Sequence, residues 1–139
     1  MEKKRMFRIL AKANAEIVKR YAQEIREQYD TMIIKKPEKS LAMIKMREPV
    51  KESLFYLGEV MITEAIVEVN SHKGIAVTMG DAFEKTLDMA VIDGAVNAGV
   101  FSHMEELMEL EKEQITREEK ENAMFLKTMV NFHSMDVED

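Results

Sequence analysis

The sequence predicts an α+β fold: a mostly antiparallel sheet of about four strands, with an N-terminal helical segment before it and three C-terminal helices after it. Three observations carry this. Apolar residues recur at helical spacing before residue 30 and after residue 80. Between residues 54 and 79 they alternate instead. The helical and alternating stretches follow one another in blocks, whereas a doubly wound fold would interleave them.

Residues 3–29 read as helix, since Ile17, Val18, Tyr21, Ala22, Ile25 and Tyr29 fall on one face. Asn14 is a cap candidate, so a break is expected near residues 12–15. Thr31–Lys35 and Leu41–Arg47 are short runs rich in Ile and Met around Lys36-Pro37-Glu38-Lys39-Ser40, and read as two strands about a turn, with Pro49 ending the second. In the run Leu54–Val69, Met61, Thr63, Ala65, Val67 and Val69 share one face, with Glu64 and Glu68 on the other. Gly58 within it marks a bulge or bend. Asn70–Gly74 has turn chemistry and Ile75–Met79 is the return strand of a hairpin. Beyond Gly80, the pairs Asp81/Glu84, Ser102/Glu105 and Thr116/Glu119 have capping-box spacing. They predict helices over 82–98, 103–114 and 117–132, with a frayed polar tail at 134–139. No linker or internal repeat divides the chain, so residues 1–139 read as a single domain.

The first of those three helices carries two apolar stripes. Phe83, Leu87, Val91, Gly94 and Ala98 form one, and Met89, Ile92, Val96 and Val100 lie nearly opposite. One stripe suffices for a surface helix, so the second implies burial under other helices or against another chain. Thirteen methionines among 139 residues fit either a core filled by flexible side chains or an adaptable surface that meets partners, as at Met104, Met108, Met124, Met129 and Met135.

Composition excludes several function classes. No apolar run is long enough to span a bilayer. The charged start Glu2-Lys3-Lys4-Arg5 is unlike a secretory signal, so a cytoplasmic location is expected. Without cysteine there is no disulfide, thiolate zinc site or cysteine-held iron–sulfur cluster. The net charge of −6 divides into +7 over residues 1–51 and −13 over residues 52–139. These charges either interleave on a solvated surface or leave a basic face for an anionic ligand or acidic partner. Aromatic residues are only 6% and no recognition motif is present, which argues against nucleic acid.

The glycines match neither dinucleotide nor P-loop spacing. His72, His103 and His133 have no metal-ligand spacing and read as surface or capping residues. No metal site and no catalytic residue is assigned. Two carboxylates stand out. Glu59 follows the bulge at Gly58, which can aim a side chain into a site. Asp93 lies in the apolar run Ala90–Ala95, on a strip shared with Thr86 and Asn97. A buried carboxylate needs hydrogen bonds, so Asp93 is expected in a network that fixes the helix against the sheet or a partner, with a ligand or subunit contact, or catalytic use, as the alternatives.

The run Phe55-Tyr56-Leu57-Gly58-Glu59-Val60-Met61-Ile62-Thr63-Glu64-Ala65 resembles the signature of the PhnG family of the bacterial carbon–phosphorus lyase system. Gly80 and Ala90-Val91-Ile92-Asp93 continue the likeness, with fainter agreement at Ile9-Leu10-Ala11 and at Phe125 and Thr128-Met129-Val130. Lys85-Thr86 replaces a His-Ala pair common in the family, and Asn131-Phe132 an Arg-Gly, so no shared chemistry is carried over to those positions.

The resemblance implies a noncatalytic, accessory subunit of a phosphonate-degrading core complex, with PhnI-, PhnH- and PhnJ-type subunits as partners and self-pairing of the isolated chain as a further option. The complex would make α-D-ribose 1-methylphosphonate 5-triphosphate from MgATP and methylphosphonate, the phosphonate displacing adenine, with PhnI as the main catalytic component. MgATP would be the co-substrate of the complex, with no cofactor bound by this chain alone. Glu59, Thr63 and Asp93 would hold the shared interface or pocket wall. The rival reading is a self-sufficient homo-oligomeric enzyme or small-ligand-binding protein, with a polar pocket around Glu59 and Asp93.

Overall fold

Pro37 does not split the chain into two strands. β1 runs unbroken from Thr31 to Arg47 and pairs antiparallel with β2, Leu54–Val69. A bulge absorbs the proline: Lys35 faces Ile66 and Glu38 faces Glu64, so Lys36 and Pro37 together stand against Ala65. β1 is also an edge strand, where a residue lacking an N–H is tolerated. The sheet therefore has three strands in the order β1-β2-β3 and not four. The computed structural model describes residues 1–47 and 54–137; Pro49 lies outside them.

The irregularity expected at Gly58 is present, since Ile44 faces Gly58 and Lys45 faces Tyr56, leaving Leu57 as the extra residue. The β2–β3 hairpin is tighter than the predicted turn. Asn70 and Ser71, at φ of 48° and 69°, make a two-residue turn, and β3 spans His72–Met79. Asp30 braces this turn, accepting from Asn70 N at 2.8 Å and donating its own N–H to Asn70 Oδ1 at 3.2 Å.

Contacts divide the chain into two compact units, residues 13–103 and residues 1–12 with 104–139. In the first, α2 (Ala15–Gln28) starts at the expected break, where Asn14 Oδ1 accepts from Glu16 N at 2.9 Å. α3 spans Phe83–Asn97. Its cap position is held by Ala82, not Asp81, and makes no side-chain cap bond. The Asp81 carbonyl instead accepts from Phe83 N at 2.8 Å. Thr86 and every residue from Met89 to Ala95 are buried, with α3 packed against β2, β3 and α2. Both stripes of this helix are thus covered along its central turns within one chain. Each large side chain so enclosed, such as Met89 or Ile92, contributes roughly 1.5–3 kcal/mol.

The second unit pairs α1 (Lys3–Lys12) with α4 (Met104–Val137). α4 is one helix where two were expected after residue 102. No glycine or proline interrupts it. Thr116 Oγ1 donates back to Lys112 O at 2.9 Å and so opens no new helix. The helix also runs through residues 134–137, part of the tail expected to fray, and the last two residues lie outside the described part.

α1 carries five basic residues and no acid, and α4 nine acids against four bases. Arg5 Nε donates to both Glu111 carboxylate oxygens, at 2.8 and 3.0 Å, and Lys12 pairs with Glu118. Gln114 Nε2 donates to Ile9 O at 3.0 Å. Met6, Ile9, Leu10 and Leu107 are buried. Here the opposed charges of the two chain ends interleave.

Candidate functional site

Alternation along β2 turns Glu59, Met61, Thr63, Ala65, Val67 and Val69 to the face that α3 covers. The cover ends at Thr63. That residue is wholly buried, and its Oγ1 donates to Gly80 O at 2.7 Å while Gly80 N donates to Met61 O at 2.8 Å. Gly80, at φ +89°, makes the reversal that brings the chain off β3 back over β2.

Beyond Thr63 the same face is open. Leu41 stands opposite Met61, and Met43 opposite Glu59. Leu41 keeps 63% of its surface exposed, and Met43, Met61 and Glu59 are exposed too. Lys39, opposite Thr63, holds its ammonium 5.6 Å from the centre of the Phe83 ring. The result is an apolar shelf with one carboxylate and one cation at its margins. It is suited to side-chain contact with another molecule.

Asp93 is elsewhere. Its Oδ2 accepts from Ile75 N at 3.0 Å, and Ile75 pairs with Ile66, seven residues along β2 from Glu59. At strand rise that is about 23 Å. One chain therefore does not bring Glu59 and Asp93 together. The strip of Thr86, Asp93 and Asn97 forms a seam with β3. Thr86 Oγ1 lies 2.6 Å from Thr78 Oγ1, and Asn97 Nδ2 donates to Lys73 O at 2.7 Å. Here α3 and β3 approach so closely that Gly74 lies directly against the α3 main chain.

Two further features lie on α2 and α3. A cleft of about 220 Å³ is lined by Lys19, Gln23, Arg26, Glu84, Leu87 and Asp88, which is smaller than the roughly 300–1,000 Å³ of most small-molecule sites. Burial pushes the Asp88 carboxyl up from its ordinary value, with Arg26 at 3.7 Å opposing the shift. Burial likewise lowers the Lys85 ammonium, which donates to Ala13 O at 2.7 Å. His103 stacks on Tyr21 at 4.9 Å between centroids and holds Nε2 2.6 Å from Glu24 Oε2. His72 Nδ1 lies 3.0 Å from Asn70 O in the exposed hairpin turn.

Among the described residues no group of three or more His, Asp or Glu is placed to hold a metal ion, and no helix is long and apolar enough to cross a membrane. Sequence reasoning missed Leu41, Met43, Lys39 and Phe83 as neighbours of the candidate residues. The β1–β2 register that joins them depends on a bulge opposite Ala65.

The family described as phosphonate metabolism protein PhnG matches residues 1–136. No curated protein matches the chain.

Proposed function

Because this chain belongs to the PhnG family of phosphonate metabolism proteins, we propose that it is an accessory subunit of a carbon–phosphorus lyase core complex. In that role it supports synthesis of α-D-ribose 1-methylphosphonate 5-triphosphate from MgATP and methylphosphonate by PhnI-, PhnH- and PhnJ-type companions. The observation that supports the reading is the open end of the α3-side sheet face. Leu41, Met43 and Met61 expose apolar surface around Glu59, while the adjoining Thr63 is fixed by its bond to Gly80. Such a shelf on a braced sheet offers a rigid docking surface for a companion subunit, which then does the chemistry. Thr63 holds the shelf's inner border, Glu59 is a direct contact residue, and Asp93 keeps the supporting helix in place.

Reconstitution tests this. PhnI-type partner and accessory proteins are mixed with MgATP and methylphosphonate, with and without this chain, and adenine release is measured. Release that requires the chain, with none from the chain alone, is the expected result. Release unchanged by its omission overturns the reading. Met61→Asp, at a site already 43% exposed, is expected to leave the fold intact and abolish the chain's contribution.

A further inference from the structure

The cleft between α2 and α3 is lined by two pairs of opposite charge. Lys19 and Arg26, about two helical turns apart, come from α2, and Glu84 and Asp88, about one turn apart, come from α3. Gln23 shares the α2 wall, and Leu87 adds apolar surface to the α3 wall. Every one of these residues belongs to the unit of residues 13–103. The cleft is thus neutral in sum and polar across its width, positive on α2 and negative on α3.

Asp88 is the residue that packing alone does not account for. Its side chain is only 14% exposed, yet its one ion-pair partner among the described residues, Arg26, holds Nη2 3.7 Å from Oδ1. That is beyond hydrogen-bond reach. The carboxylate oxygens are not sealed away, since every wholly buried polar side-chain atom among the described residues has a partner. Their opening is the cleft that Asp88 lines. Burial accordingly holds this carboxyl above its ordinary range, against the pull of Arg26 and Lys19. Lys19 and Glu84 are exposed, and neither forms an ion pair among the described residues. A carboxylate kept partly desolvated without a donor costs stability, and groups retained at such a cost cluster at binding sites.

We propose that this cleft binds a small zwitterion, its ammonium end donating to Asp88 and Glu84 and its anionic end, a carboxylate or phosphate, held by Lys19 and Arg26. The ammonium supplies the hydrogen bonds that Asp88 lacks, and the anion supplies the partner that Lys19 lacks. Leu87 gives the methylene body an apolar rest. A lone cation would leave the α2 wall uncompensated, and a lone anion would be repelled by α3. The cleft of about 220 Å³ equals the liquid volume of roughly seven waters. That limits the ligand to a similar number of non-hydrogen atoms, the size of a short ω-amino acid. The site shares no residue with the companion-subunit shelf, so each reading can fail without the other.

Amide NMR of the full chain tests the proposal, with β-alanine and phosphoethanolamine as probes and with ethylamine and inorganic phosphate as their separate halves. At least one zwitterion is expected to bind with a Kd of about 1 mM or tighter and to shift amides within residues 19–26 and 84–88. Each half is expected to bind about tenfold more weakly or worse. Asp88→Asn keeps the side chain's shape and removes its charge. It is expected to weaken the zwitterion by about tenfold or more, while thermal unfolding shows a protein no less stable than the parent. Lys19→Gln, at an exposed position, is expected to weaken it as well. If neither zwitterion shifts these amides at millimolar concentration, or if one half binds as tightly as the whole, the proposal is overturned. Binding that Asp88→Asn leaves unchanged overturns it too.

Discussion

Gly74 of β3 and Gly94 of α3 meet main chain to main chain. A methyl group on Gly74 would fall 2.2 Å from Ala90 O and 2.3 Å from Gly94 N, and one on Gly94 would fall 2.8 Å from Val69 Cγ2. The obstacles differ in kind, since Gly74 faces backbone and Gly94 faces the end of a side chain. Gly74→Ala is therefore expected to destabilise the fold by about 3 kcal/mol or more. Gly94→Ala should cost about 1–2 kcal/mol, part of it regained in Gly94→Ala/Val69→Ala. Urea unfolding of the four proteins measures both.

Asp93 occupies the Ile75 N–H at the margin of the sheet. Asp93→Ala leaves that part-buried donor without its acceptor, at a cost of about 1 kcal/mol, while Asp93→Asn keeps an oxygen in place and should cost less. Hydrogen exchange at the Ile75 amide distinguishes the two: it should speed up in the alanine protein and stay nearly as slow as in the parent in the asparagine protein.

The hairpin turn places Ser71 at φ +69°, a region in which a non-glycine residue is held at a cost of about 1–2 kcal/mol. Ser71→Gly relieves that cost and loses some of the gain to a freer unfolded chain. A net stabilisation of about 0.5–1 kcal/mol is expected, read as a rise in denaturation midpoint with unchanged slope.

Two carboxylates should respond to pH in opposite directions. The Arg5 bond holds Glu111 below the usual glutamate range, so its contribution is present above that range and lost as pH falls through the lowered value. Burial holds Asp88 above the usual aspartate range, so the folded state is penalised as pH rises through that window. Glu111→Gln should accordingly destabilise at neutral pH, and Asp88→Asn should stabilise. Both differences should shrink on acidification. Thermal unfolding at neutral and acid pH compares them, and equal differences at both would contradict the assigned causes.

Local chemistry made much of the fold legible in the sequence. Asn14 announced the break between α1 and α2, Gly58 the irregularity in β2, and the 100° strip of Thr86, Asp93 and Asn97 the polar seam that α3 makes with β3. What stayed hidden were decisions taken by partners distant in sequence. Pro37 looks like a turn until Ala65 is known to lie across from it in a bulge. Thr116 and Glu119 look like a helix start until the hydroxyl is seen bonded to Lys112. The methionines divide between the two readings: Met6 and Met89 are buried, while Met108, Met124 and Met129, named for the surface, are exposed together with Met32, Met43, Met61 and Met79; Met104 is half-buried and the side chain of Met135 lies outside the described part. The candidate site was half legible. Thr63 lies on the face that β2 periodicity predicts, whereas Glu59, expected only to follow a bulge, shares that face, and Leu41 and Met43 join them through pairing.

The bulge that carries Pro37 has a consequence for the company this protein can keep. One rim of the sheet is kinked and interrupted by a residue with no N–H to offer, and on the other rim the Ile75 amide is already engaged by Asp93. Each border is thereby a poorer template for a stranger's backbone at that point, which favours association through side chains, where a partner is chosen residue by residue, over growth of the sheet from its edges.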